Sequence, residues 1–237
     1  MLNIPNKALK YILFQRTEFS IYQSNPLLLR VVMNKHLPIY NQAVEFEAFL
    51  FPGRTKRLFS ADMEREYDNL KKYLPERPEN ILDIGCGVAG IDILLYKHYS
   101  QKDCNPSFYL LDKTEINSKV YYGLEKEAAY YSSLDVAKQL LIENGVDKLK
   151  IFIQEATGSP VFLNKKFDLV ISLISWGFHY PVSTYLDEVY NSLNMGGTLI
   201  IDVRKDSGGE ELLKNKFGSF EVIYEARKHR RILIKKN

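Results

Sequence analysis

An α/β fold with a mostly parallel, seven-stranded sheet and helices on both faces is predicted by three features of the chain. Short apolar runs alternate with amphipathic stretches from Pro78 onward. An acid and three glycines, in Asp83-Ile84-Gly85-Cys86-Gly87-Val88-Ala89-Gly90, join the first run to the helix after it. Two last runs lie close enough to pair as a C-terminal antiparallel hairpin. Alternating strand and helix implies parallel pairing with helices packed on either side.

The elements follow in order. Before Pro75-Glu76-Arg77-Pro78 the apolar spacing is mostly helical, with Tyr67, Leu70 and Leu74 on one face of a helix over 64–74 that the prolines end. Residues 1–75 therefore read as an N-terminal, mostly helical extension, and 76–237 as the sheet domain. Strands are predicted over 80–84, 107–112, 148–154, 167–172 and 198–203, then 220–224 and 231–234 for the hairpin. Helices are predicted over 89–99, 133–143, 183–193 and 210–216. Asn194-Met195-Gly196-Gly197 reads as a turn, and Phe51 to Arg57 as a basic loop.

Bulk properties narrow the function classes. The chain has 237 residues and is 46% hydrophobic, enough for an ordinary core. Its 32 basic and 29 acidic side chains leave a net charge of +3, too mild to argue for a nucleic-acid partner. No apolar run reaches the roughly 18 residues that span a bilayer, and Met1 to Lys7 has no signal-peptide pattern. Cys86 and Cys104 form no Cys-x-x-Cys pair, which argues against a disulfide scaffold or zinc site and fits a reducing cytosol. No metal is expected; Asp202, after the fifth strand, could join a ligand cluster spatially but reads as an ordinary strand-end acid.

Ligands of open parallel sheets bind at the carboxyl ends of the strands. The glycine turn lies there. Glycine permits a sharp turn and a close approach of ligand to backbone. Gly85, Gly87 and Gly90 also fit the dinucleotide pattern G-x-G-x-x-G. However, Asp83 would put a negative charge near a pyrophosphate.

Ile81-Leu82-Asp83-Ile84-Gly85-Cys86-Gly87, with the hairpin after the fifth parallel strand, resembles the class I S-adenosylmethionine (SAM)-dependent methyltransferases. The resemblance covers about two thirds of the chain and implies a Rossmann-like fold with SAM as cofactor. It implies that Asp83 favours the cationic methionine end of SAM, that Gly85, Cys86, Gly87 and Gly90 form the binding turn, and that Asp112, followed by Lys113, holds the ribose hydroxyls. It also implies that Glu155, beside Ala156, meets the adenine amino group, and that Ser172 opens the segment facing the transferring methyl.

Ser172 to Pro181 is the most distinctive stretch. It lacks the Asn/Asp-Pro-Pro-aromatic motif of amino-methylating DNA enzymes. His179 is either a general base for an attacking hydroxyl or a structural histidine. Trp176, Phe178 and Tyr180 are candidates for stacking on the acceptor or contacting the sulfonium. The run from Ser175 to Pro181 loosely resembles sugar O-methyltransferases.

In the N-terminal extension, which such families use as a lid, Arg54 and Arg57 are candidates for an anionic substrate or the SAM carboxylate. Tyr121-Tyr122 and Tyr130-Tyr131 are expected to cover the pocket, make a homodimer contact or simply pack. The expectation is a cytoplasmic methyltransferase acting on a small-molecule acceptor through oxygen. The alternatives are an enzyme acting on RNA or protein, a catalytically silent SAM-fold partner, and a nicotinamide oxidoreductase.

Overall fold

The computed structural model describes residues 2–25, 27, 39–116, 131–157, 162 and 164–237. The main-sheet strands are β1 (Asn80–Ile84), β2 (Ser107–Asp112), β5 (Ile151–Glu155), β6 (Phe167–Ser172), β8 (Leu193–Arg204), β9 (Glu221–Glu225) and β10 (His229–Lys235). β3 (Glu115–Ile116) and β4 (Tyr131–Ser132) form a separate short pair, and β7 (Ser175–Tyr180) follows β6 directly. The helices are α1 (Leu9–Gln15), α2 (Tyr40–Leu50), α3 (Pro52–Leu70), α4 (Gly90–Ser100), α5 (Leu134–Glu143), α6 (Leu186–Ser192) and α7 (Gly209–Phe217).

The sheet order is β5-β2-β1-β6-β8-β10-β9. Pairing is parallel from β5 to β8, and β10 runs antiparallel to both neighbours, as the predicted hairpin requires. Central strands are apolar on both faces because both faces are covered. Alternate residues divide between two cores. Ile81, Phe108, Leu110, Leu169, Ile171 and Ile200 pack with α1, α3, α4 and α5. Leu82, Tyr109, Leu111, Val170, Leu199 and Ile201 pack with α6 and α7.

The N-terminal extension belongs to the first core. Leu9, Ile12 and Leu13 of α1 are fully buried there. At roughly 1.5–3 kcal/mol for each buried aliphatic side chain, these contacts are worth more than a loosely laid helix could hold. Arg231 of β10 ties the extension to the sheet at a second point. Its Nε and Nη2 bond both carboxylate oxygens of Asp202 on β8 at 2.8 Å, and Nη2 also reaches Glu66 of α3 at 2.6 Å.

The structure revises several boundaries. The expected basic loop at 51–57 is instead the start of α3, with Pro52 at the first turn, where its missing N–H costs nothing. The expected turn at 194–197 lies inside β8. Gly196 N–H donates to the Lys236 carbonyl and Lys236 N–H to that of Gly197, so the pairing with the chain end runs through it. The helix expected over 183–193 divides into a 3-10 turn, Val182–Thr184, and α6, because Leu193 is already extended. The strand expected from 148 starts at Ile151. Asp147 accepts the Leu149 N–H and holds Lys148–Lys150 in a 3-10 turn. Tyr121, Tyr122 and Tyr130 lie outside the described residues.

Breaking a buried ion pair leaves an uncompensated charge, which costs about 3–5 kcal/mol. Asp202→Ala should therefore lower the free energy of urea unfolding by about that amount. A loss below about 1 kcal/mol would mean that Glu66 alone satisfies Arg231.

Candidate functional site

The sheet order reverses between β1 and β6, since β2 lies on one side of β1 and β6 on the other. Crevices at such points, beyond the carboxyl ends of the strands, are where ligands of these sheets bind. The turn after β1 takes left-handed conformations at Gly85 (φ 77°) and Gly87 (φ 58°). Ala89 does the same (φ 60°) at the cap of α4, an uncommon place for a residue with a Cβ.

The end of β2 holds this turn. Gly85 N–H donates to the Leu111 carbonyl at 2.7 Å, and Gly87 N–H to Asp112 Oδ2 at 2.7 Å. Lys113 N–H donates to Asp112 Oδ1 at 2.7 Å, so Lys113 contributes its backbone here. Ser132 Oγ closes the other side of the turn on the Gly87 carbonyl at 3.0 Å. Burial raises the Asp112 carboxyl to about 6, partly opposed by the Gly87 and Lys113 N–H groups. Each oxygen keeps acceptor capacity beyond the one bond it makes, and the residue is partly exposed.

The expectation that the glycines open the backbone to a ligand needs correcting. The space where each Cβ would stand is filled by the protein. A Cβ on Gly85 would collide with Ser175 Oγ of β7, and one on Gly90 with the Phe59 ring of α3. A Cβ on Gly87 would lie 2.7 Å from Oε1 of Gln15 in α1. Three elements thus pack onto the turn.

Asp83 is buried at the end of β1, and Asp92 lies fully buried in the first turn of α4. The Asp92 carboxyl meets that of Asp83, and apart from that carboxyl and its own N–H no donor faces it among the described residues. Desolvation raises Asp83 well above the ordinary carboxyl range and Asp92 to about 6, and the neighbouring charge adds to the rise at Asp83. Two carboxyls in contact retain a proton between them. Burial likewise pushes the Cys86 thiol up, so it is inert rather than a nucleophile.

At the ends of β5 and β6 the candidates differ in availability. Glu155 is exposed, and its Oε2 accepts the Thr114 N–H at 2.9 Å, leaving Oε1 for another donor. Ala156 N–H donates to the Asp112 carbonyl, which sets its side chain against the second core. Gln154 accepts the Phe162 N–H at 2.7 Å. Ser172 is a brace rather than a cofactor contact. Its buried hydroxyl donates to the Ile84 carbonyl at 2.7 Å and accepts the Trp176 N–H at 3.0 Å.

The aromatic segment divides too. Trp176 is fully buried in the second core, with its indole N–H on the Val182 carbonyl at 2.9 Å. It cannot stack on an acceptor without unfolding that core. Phe178 is largely buried, with the half-buried His179 edge-on at 4.9 Å and the Arg204 guanidinium above its ring at 5.2 Å. Tyr180 is half-buried.

Of the two arginines in the extension, Arg54 is spent internally, donating to the Phe19 carbonyl and lying 3.6 Å from the buried Glu47. Arg57 is exposed on α3. Both oxygens of Asp202 bond Arg231, and Oδ2 also accepts the Ile174 N–H at 3.2 Å. Among the described residues no cluster of three or more His, Cys, Asp or Glu side chains is placed to hold a metal.

The sequence reading missed Asp92, Ser175, Gln15 and Ser132. Asp92 had a signal, as a lone acid inside the apolar run from Ile91 to Leu95. The other three are brought to the turn only by the tertiary fold.

No protein-family model and no curated relative matches the chain. Solved structures do share its fold. A Thermus thermophilus 16S rRNA methyltransferase in complex with AdoMet and guanosine aligns at TM-score 0.50 and 17% identity, over 75% of this chain and 43% of that one. A Pyrococcus furiosus methyltransferase aligns at TM-score 0.50 and 15% identity, over 74% and 83%. A protein from Nostoc punctiforme assigned as an O-methyltransferase aligns at TM-score 0.53 and 14% identity, over 78% and 59%. The chain thus spans less than two thirds of the first and third of these proteins. It has the Rossmann-like fold of the class I SAM-dependent methyltransferases.

The acid pair yields a pH test. Asp92 is raised from 3.8 to about 6, so its protonation contributes stability that is complete below about 4 and lost as pH rises through about 6. Asp92→Asn copies the protonated form. Its melting temperature should exceed that of the wild type at pH 8, and the two should converge near pH 5. An equal difference at both values would show that the pair does not share a proton.

Proposed function

We propose that the chain is a SAM-dependent methyltransferase whose acceptor is a small molecule attacking through oxygen. The observation that carries this reading is the Asp112 carboxylate. It sits at the switch point of the sheet, bonded to the glycine turn and partly exposed, with the buried Asp83–Asp92 pair behind it. A ribose diol needs such an acceptor, and a cationic ligand is favoured by the acids.

When bound, SAM supplies an electrophilic methyl group on a sulfonium. Asp112 accepts from the ribose hydroxyls, and Glu155 offers Oε1 to the adenine amino group. Asp83 and Asp92 favour the cationic methionine end. Phe178 and Tyr180 border the transfer region with aromatic faces. His179 would take the proton from the acceptor hydroxyl whose oxygen receives that methyl group. Most of the acceleration then comes from holding the two reactants aligned, and little acid–base chemistry is needed beyond that proton.

Calorimetric titration with SAM, its demethylated product and NADH tests the reading. SAM or its product should bind tightly, NADH should not, and Asp112→Ala should abolish binding. Because Asp112 must be ionised to accept both hydroxyls, SAM affinity should be flat above pH 7 and fall about tenfold per unit below about 6. Tight NADH binding without SAM binding would replace the proposal with an oxidoreductase.

His179→Ala should lower turnover by about 10²–10⁴-fold and leave SAM affinity unchanged. Full turnover in that variant would remove His179 from the chemistry.

A further inference from the structure

The carboxyl end of β8 carries a second polar cluster that methyl transfer as described leaves unused. Asp202 and Arg204, two residues apart, share one face of β8. In the antiparallel ladder Arg231 stands opposite Asp202, and His229 opposite Arg204. Arg231 is fully buried, and its Nε and Nη2 are spent on Asp202 and Glu66. Its Nη1 has no partner. Nor has Arg204 Nη1, and His229 Nε2 makes no hydrogen bond although it lies 3.8 Å from Asp202 Oδ2; all three nitrogens are shut off from solvent.

Buried polar groups are nearly always paired, because they have given up their bonds to water. Three orphaned nitrogens on adjacent residues of one ladder call for a common partner. Arg231 is balanced by Asp202 and Glu66, whereas the Arg204 charge is unmatched, which favours an anionic partner. Arg204 has no carboxylate within ion-pair distance among the described residues, and its guanidinium lies over the Phe178 ring, with His229 edge-on to the same ring at 5.6 Å. A guanidinium fork matches the paired oxygens of a carboxylate or phosphate. Arg204 is itself partly exposed, although its Nη1 is not.

The location links this cluster to the glycine turn. β7 rests on Gly85 through Ser175 and on the cluster through Phe178. β8 lies two strands from β1 in the sheet, about 10 Å away at the usual strand spacing. That is the span of one sugar-sized ring with a charged substituent.

We infer that Arg204, His229 and the free edge of Arg231 recognise a carboxylate or phosphate on the methyl acceptor. The inference rests on the methyltransferase reading only for the word acceptor; the anion site stands on its own geometry.

Thermal unfolding tests it. Phosphate and acetate are each titrated to about 50 mM against chloride at constant ionic strength, on the wild type, Arg204→Met, Arg204→Lys and the exposed control Arg227→Met. In the wild type and the control, at least one anion should raise the melting temperature saturably by about 4 °C. Arg204→Met should lose the rise, and Arg204→Lys, which keeps the charge without the fork, should need about tenfold more anion.

The anion that saturates first identifies the group. No rise in the wild type, or an equal rise in Arg204→Met, overturns the inference. SAM calorimetry on the same samples separates the two ideas. SAM binding without an anion response removes only the anion site. An anion response without SAM binding keeps the site and removes the methyltransferase reading.

Discussion

The turn after β1 packs as closely as it does because three of its residues carry no Cβ. Ser175, Gln15 and Phe59 come from three separate elements and each occupies the volume where a side chain would begin. Their convergence brings β7, α1 and α3 onto one turn. An alanine at Gly85 would be strained twice, once by its left-handed backbone and once by the Ser175 hydroxyl. The same constraint fixes Asp112, since its bond to Gly87 requires the turn to close this tightly.

Packing of that density strips water from the acids beside it. Asp83, Asp92 and Asp112 all lie within this knot, and desolvation is the leading cause of the raised affinity for protons at each. They are not equivalent, however. Asp112 keeps backbone N–H donors that favour its charge, whereas the oxygens of Asp92 have only another carboxyl and the residue's own N–H to face. The pair therefore opposes charge at the back of the site while Asp112 carries it at the front. A cationic ligand would relieve part of the burden at the back, so stability of the fold and occupancy of the site pull in the same direction.

The legible part of the molecule was whatever depends on local pattern. The strands β1, β2 and β6 were readable because they are short apolar runs bounded by prolines, glycines and acids. The hairpin was readable from its spacing. Asp112 could be placed because the end of a strand next to the glycine turn has a function in any such sheet. What could not be read depends on distant contacts. Trp176 reads as available among other aromatics, yet its indole N–H reaches the Val182 carbonyl and its ring is buried in the second core. Arg54 looked like a loop cation, but the segment is helical and aims it at Phe19 and Glu47. Ser172 sits at the expected place, with a hydroxyl already divided between Ile84 and Trp176.

The charges along the carboxyl edge of the sheet are also sorted by strand. The acids Asp83, Asp92 and Asp112 cluster around β1 and β2, while Arg204, His229 and Arg231 stand on β8 and β10, with β6 and β7 between. Neutralisation is uneven across this edge. Asp202 and Glu66 are both consumed by Arg231, which leaves Arg204 as the cation without a carboxylate partner among the described residues. An anion held by Arg204 would sit at the far end of this edge from the glycine turn. A reaction that joins a sulfonium donor to an anionic acceptor would find its two partners drawn to opposite ends of one strip, with His179 and Phe178 between them on the segment that connects the two.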